Sequence, residues 1–507
     1  MNHSASRLFL IIFASALLLP GVVKAEESAP DKLRRVIREK RANFDTWDKQ
    51  GLRYSKGMAT DCTKAFLKVP DYYKENNADY FVTAEEIPTI DFAPIRNLHP
   101  EFQADGIGEW THWGEVTCGP NGRFYMGVGN HRKNATGNVL NIIEYDPVKK
   151  EQRVAVDVGR VLGWKPGEYT DTMLHGNMNF LSDGTLVAAT WLGHHGKTNM
   201  SKDSAESNWC GSWVFTYNVY TGKVESHAIP FMNGTWAMHN TDTSTGVLMA
   251  VGIGYAEGFP DPRWNNRDTG YHYRGQHYFL AYNVLERKVL YAGMPPGNID
   301  LSERAALIDP RTGLFYSSDS HNGSTLVCYD QRTSRWRDLN CSIPLNPSTG
   351  KNDILRAYTY RPAPDGAFYC MDMIGTFFKF WPEDERTELI GVTWEKDGVY
   401  TASITMSPGC RYIYYLPDAH GHNYHLEQPV VQYDTVTGTK KVLAFLSPFY
   451  HEKYGYVTKG SYGIELSADG SLLVIEMNGT FNPEAKKGRY SHPAIFAVHI
   501  PESERRE

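Results

Sequence analysis

The chain has 507 residues, of which 41% are apolar and 13% aromatic, with 45 Gly and 27 Pro, a profile that fits a large, turn-rich all-β domain. Its net charge of −6 comes with no dense basic cluster, which excludes a nucleic-acid groove.

The N-terminus carries Arg7, an apolar run over 8–23 and an Ala-x-Ala-like exit at Val23-Lys24-Ala25. This predicts a secretory signal peptide over 1–25 and a secreted or periplasmic protein. The run is at the short end for a membrane anchor, and no Cys follows it as a lipoprotein would require. No other stretch is long and apolar enough to cross a membrane, so no membrane partner is expected after cleavage. Residues 31–49 are helix-compatible and rich in Lys, Arg and Glu, and 66–97 carry Pro70, Pro88 and Pro94. Residues 26–108 therefore read as an N-terminal extension packed on the main domain. Of the seven Cys, Cys62 and Cys118 flank the start of that domain, where a disulfide could form. The odd number leaves at least one thiol unpaired, buried or metal-bound.

From Trp110 onward one pattern recurs. An apolar run, a Gly-containing hairpin turn and a second apolar run are followed by a polar loop and a strand closing on an aromatic-Asp or aromatic-Asn turn. The hairpins turn at Asn121-Gly122, Asp183-Gly184, Thr245-Gly246, Thr312-Gly313, Asp365-Gly366, Pro408-Gly409 and Asp469-Gly470. The closing turns include Tyr145-Asp146, Tyr217-Asn218, Tyr282-Asn283, Tyr329-Asp330 and Tyr433-Asp434. A four-stranded unit repeated every 40–70 residues or so is the signature of a propeller blade. Seven such units begin near Trp110, Thr172, Trp236, Glu303, Leu355, Thr401 and Gly460. The expected fold is an all-β, seven-bladed β-propeller over 109–507, with a short N-terminal extension. A stacked β-sandwich is the weaker alternative, because the repeat continues through nearly the whole chain. The longest inserts, 196–211 and 256–275, lie between second and third strands, and 494–500 reads as a closing strand.

With the strands of a blade lettered A to D from the channel outward, antiparallel order puts the start of A and the B–C loop on one face. On that face fall Asn130 and His131 in blade one, and His175, His194 and His195 in blade two. Blade three adds His239, Tyr255 and Arg274, blade four His321, and blade six His420, His422 and His425. His titrates near neutral pH, Tyr transfers a proton when neighbouring positive charge lowers its pKa, and Arg grips a carboxylate with two parallel hydrogen bonds. These needs match β-elimination from a uronic acid. The carboxylate is neutralised, a base takes the α-proton, and an acid protonates the leaving glycosidic oxygen.

Asp418-Ala-His420-Gly-His422 together with His321 predicts a divalent-metal site, with Cys328 as a fourth ligand, although a buried packing role suits Cys328 better. Imidazole ligands favour Zn²⁺, with Ca²⁺ as the alternative. Trp110, Trp113, Trp191, Trp236 and Tyr271 lie near the same rim, where aromatic faces suit a carbohydrate groove as well as blade packing.

On this layout the chain resembles the seven-bladed-propeller polysaccharide lyases that degrade ulvan, the sulfated rhamnose–uronate polymer of green algae, and more distantly the propeller oligogalacturonate lyases. The resemblance spans roughly 110–500 and is carried by Leu174-His175-Gly176, His194-His195-Gly196, Gly254-Tyr255 and Tyr273-Arg274-Gly275. The doubled His194-His195 leaves either ring as the second His. The resemblance implies a lyase acting on an anionic polysaccharide. Arg274 would neutralise the uronate carboxylate and Tyr255 transfer the proton. His175 and His195 would flank the sugar, one as alternative base and one to orient it. His131, His194, His239 and Trp191 would contact substrate. It also implies a metal held by His from later blades, matching His321, His420 and His422. Two other functions compete. A glycoside hydrolase needs paired carboxylates, for which Glu476 and Asp372 are the candidates. A non-catalytic sugar- or protein-binding propeller needs no His–Tyr–Arg set.

Overall fold

The structure, a computed structural model, describes residues 54–55, 58–76, 80–95, 110–130, 139–164, 170–192, 211–228, 234–254, 277–297, 299–395, 398–421, 427–480 and 492–507. The predicted signal segment and both long inserts lie largely or wholly outside them.

Seven sheets follow one another along the chain, antiparallel except where Val82–Thr83 adds in parallel outside blade six. Blade two is typical. Strands Asn179–Phe180, Thr185–Ala189, Val214–Asn218 and Val224–Ala228 pair in sequence order, A to D. The inner hairpins close because a glycine takes the left-handed turn, as at Gly184 (φ 81°), Gly366 (φ 85°) and Gly470 (φ 70°). The Asp before it accepts the backbone N–H two residues on, at 2.9 Å for Asp183 and 3.1 Å for Asp365 and Asp469. The outer hairpins are capped the same way. Asp146, Asn218 and Asp434 each accept the N–H groups two and three residues ahead.

Blades are joined by apolar side chains pointing to both sides of each twisted sheet. Phe279 of blade three packs against Phe315 and Tyr329 of blade four, and Tyr316 of blade four against Phe380 of blade five. The ring closes where Val116, Phe124 and Met126 of blade one meet Leu472, Val474 and Ile495 of blade seven.

Blade seven is assembled from both ends of the chain. Val457–Leu466, Leu472–Thr480 and Ala494–His499 are its inner three strands. The fourth is Thr89–Pro94, antiparallel to Ala494–His499, and Ala59–Asp61 pairs outside it. Asp91 fastens this seam, accepting from Thr60 (2.5 Å), Lys150 (2.7 Å) and His499 (2.8 Å). Glu504 adds a second fastening, accepting from the Glu86 N–H at 2.9 Å and from Lys441 at 2.6 Å. Cys62 and Cys118 carry free thiols, so the disulfide that their positions suggested is not formed. Among the described residues no helix is long and apolar enough to cross a membrane.

Candidate active site

In every blade a polar or aromatic side chain stands on or beside the inner strand. They are Trp113, His175, His239, Arg304, Arg356, Tyr400 and Tyr462, from blades one to seven in order. Trp113, Arg304, Tyr400 and His420 are partly exposed. Beneath them His175, Arg356 and Tyr462 are buried.

A directional hydrogen-bond chain crosses blades five, six and seven. Arg356 Nε donates to the Tyr400 hydroxyl at 2.8 Å. Tyr400 donates to the Tyr462 hydroxyl at 3.3 Å. The Tyr462 hydroxyl lies 2.5 Å from His420 Nε2. The Arg356 guanidinium also sits over both phenol rings, 5.6 Å from Tyr400 and 5.3 Å from Tyr462, which favours negative charge on their oxygens. His420 stacks on Tyr400, with centroids 5.0 Å apart. Burial raises the Tyr462 pKa well above its ordinary value and neighbouring Tyr400 adds to this, while Arg304 and Arg356 pull it down. Trp113 completes the group, edge-on to Tyr462 at 4.8 Å, its indole N–H donated to Thr111 Oγ1 at 2.6 Å.

A second chain runs through blades two to four. Arg304 NH1 lies 3.1 Å from His175 Nε2, and Arg304 Nε donates to Glu303 Oε1 at 3.2 Å. The other Glu303 oxygen is 3.6 Å from His277 Nε2. His277 Nδ1 meets Asp300 Oδ1 at 2.9 Å. Burial works against charge on His277, but the hydrogen bond to Asp300 and the charge of Glu303 outweigh it and raise its pKa. Below the mouth Glu115 is buried, hydrogen-bonded to Ser403. Burial pushes its carboxyl up to about 7 despite the nearby charge of Arg356.

Of the residues singled out in the sequence, Trp113, His175 and His420 reach this site. His239 does not. It is fully buried, its Nε2 accepts the Ala189 N–H at 3.2 Å, and burial lowers its pKa to about 3. It fills a space left by Gly176, whose Cβ would come within 2.3 Å of the ring. Trp191 is buried too, supporting His175 edge-on at 4.5 Å rather than facing a sugar. Cys328 takes the buried packing role and not the ligand's. It lies buried among Tyr316, Phe368 and Phe378 between blades four and five, and burial pushes its thiol up to about 11. His321 is on the surface side of Asp300, 3.8 Å from its Oδ2, and His420 Nε2 is engaged by Tyr462. Among the described residues no three His, Cys, Asp or Glu side chains gather to hold an ion. His422, which the expected Zn²⁺ or Ca²⁺ site needs beside His321 and His420, lies outside the described residues. His131, His194, His195, Tyr255, Arg274 and His422 lie outside the described residues. Arg304, Arg356, Tyr400 and Tyr462 were missed, although each stands at or beside a blade start that the repeat marks.

No protein-family profile matches the chain, and no curated protein does. Similar solved structures include an oligogalacturonate lyase from Vibrio parahaemolyticus, 9% identical with a TM-score of 0.49, the match covering 90% of this chain and 100% of that one. Another is an oligogalacturonate lyase in complex with manganese, 9% identical with a TM-score of 0.49, covering 90% and 99%. The fold is established by the chain's own seven sheets: it is a seven-bladed β-propeller.

Proposed function

We propose that this protein is a lyase that cleaves a uronate-containing polysaccharide by β-elimination, leaving an unsaturated uronate end. The observation that carries this reading is the chain from Arg356 through Tyr400 and Tyr462 to His420, opening beside Arg304. A guanidinium at the mouth suits a substrate carboxylate. Neutralising that carboxylate acidifies the α-proton. The α-proton passes to the Tyr462 oxygen as the Tyr462 hydroxyl proton passes to His420 Nε2, so no free phenolate forms, and His420 later hands that proton back to Tyr462. The Tyr462 hydroxyl then returns a proton to the departing glycosidic oxygen, and the C–O bond breaks as the C=C bond forms. Arg274, from the segment before His277, is proposed as a second carboxylate ligand. The substrate is proposed to be of the ulvan type, rhamnose–uronate, met after export by the 1–25 segment.

A hydrolase reading loses its carboxylate pair. Asp372 is buried and accepts the backbone N–H groups of Asp353, Ile374 and Thr376. Glu476 is buried against His112 at 2.7 Å. Among the described residues, neither is hydrogen-bonded or ion-paired to the partly exposed group of Trp113, Tyr400 and His420 that Tyr462 joins. The deciding experiment is incubation of the purified protein with uronate polysaccharides. New ultraviolet absorbance is expected, because only elimination creates a C=C conjugated to a carboxylate. Cleavage without that absorbance would make the protein a hydrolase.

A further inference from the structure

By residue type and position alone, His175 suits a base or a substrate-orienting residue. Its surroundings argue otherwise. An arginine is a permanent cation and has only donors, so at 3.1 Å from NH1 the His175 Nε2 must offer its lone pair. The imidazole is therefore neutral and carries its proton on Nδ1. A fixed positive charge at this distance also opposes its protonation, which makes it a poor proton acceptor. What His175 does is hold one edge of the Arg304 guanidinium while Trp191 holds His175.

The other edge is held by a longer device. Glu303 divides its two oxygens between Arg304 Nε (3.2 Å) and His277 Nε2 (3.6 Å). His277 is fixed by Asp300, which takes Nδ1 at 2.9 Å and the backbone N–H at 3.3 Å. Asp300 is fixed in turn by the Ser320 hydroxyl at 2.5 Å and by its own N–H on Asp319 at 3.1 Å. The side chains of Asp300 and His277 are each 1% exposed and that of Glu303 is 8% exposed, so these charges need partners to be buried at all. Carboxylate, imidazole, carboxylate and guanidinium alternate, and the last, at 13% exposure, is the most exposed of the four.

We propose that Asp300, His277 and Glu303 form a positioning relay that, with His175 on the opposite side, fixes Arg304 as the group gripping the substrate carboxylate. The proposal rests on the lyase reading for the identity of the ligand but not for the relay itself. It assigns the site a requirement for a free carboxylate. An esterified uronate presents no anion to Arg304 and is not gripped.

Two measurements test it on the full chain. The first is ¹⁵N NMR of the histidine rings without substrate. His175 is expected as the Nδ1–H tautomer with a bare Nε2, and Arg304→Gln is expected to move its Nε2 resonance. Protonation at Nε2, or no response to Arg304→Gln, overturns the relay whatever the activity. The second uses a 4-linked glucuronate tetrasaccharide and its methyl ester, with binding followed by calorimetry and elimination by absorbance. Glu303→Gln and His277→Gln are expected to weaken binding of the acid roughly tenfold, raising KM and leaving kcat within about threefold. The weak binding of the ester should be unchanged. A drop in kcat with KM unchanged, or equal losses for acid and ester, overturns the gripping role. Should either variant melt far below the wild type, Arg304→Lys, which keeps the charge and loses the fork, carries the same test. Acid binding that depends on Arg304 with no new absorbance from any uronate polymer would leave the relay standing and remove the lyase reading alone.

Discussion

The Tyr462 hydroxyl lies 2.5 Å from Nε2 of His420, although the two residues are 42 positions apart and belong to different blades. Neither ring could be placed so by its own blade. The contact exists because the inner strand of one blade runs past the B–C loop of the blade before it.

Tyr462→Phe is expected to lower kcat at least a hundredfold, the usual scale of a lost general acid/base, with KM little changed. Steady-state elimination at saturating uronate checks it. Tyr255→Phe is the contrasting variant. With Tyr462 as the proton carrier it should keep kcat within about tenfold of wild type, and a larger fall would return the role to Tyr255.

Trp113 is the partly exposed aromatic face beside Tyr462 and His420, with centroids 4.8 and 6.0 Å away. Trp113→Ala should raise KM roughly tenfold, equivalent to about 1.4 kcal/mol of lost contact, with kcat within about threefold. Quenching of tryptophan fluorescence by uronate oligosaccharide, present in wild type and reduced in the variant, gives an independent check.

Glu115 ties stability to pH. Burial raises its folded-state pKa to about 7, so between its unfolded value and 7 the native protein binds the extra proton. Its favourable contribution is complete below the unfolded pKa and is lost as pH rises through the folded one. The loss is on the order of 3 kcal/mol. Glu115→Gln should flatten this part of the curve, measured as denaturant unfolding from pH 4 to pH 8. A variant that still loses stability as steeply would contradict the assignment.

Asp91 acts with the opposite sign. Burial opposes its ionisation, but hydrogen bonds from His499, Lys150 and Thr60 outweigh it and hold its pKa down to about 2. Its stabilisation is present above the unfolded pKa and disappears as pH falls through the folded one. Asp91→Asn should cost about 2 kcal/mol at pH 7. The gap between the two unfolding curves should close as the pH approaches 2.

Much of the ring was legible because its signals are local. Aspartates and glycines at the hairpins act within two or three residues of themselves, and all seven repeats became blades. Even the exception is informative. At Pro408-Gly409 the left-handed position passes to Cys410 (φ 69°). The outer strand of blade seven was not legible. Thr89–Pro94 pairs with Ala494–His499, and nothing in six residues announces a partner some 400 positions away. The site was half legible for a related reason. His175 and His420 stand out because histidine is uncommon. Arg304, Arg356, Tyr400 and Tyr462 are ordinary residue types on or just before the inner strands, and their meaning comes only from the ring that gathers them.

The seam in blade seven makes the first and last strands of the propeller hydrogen-bonded neighbours. The ring is therefore a clasped bracelet whose clasp needs both ends of the thread. No set of blades lacking either strand can close it, so a nascent protein lacking its final strand carries an unpaired edge at Thr89–Pro94, and a chain that has lost Thr89–Pro94 leaves one at Ala494–His499. A second copy could fill either edge with its own matching strand. Loss of either strand is thus expected to turn an internal fastening into a point of exchange between molecules.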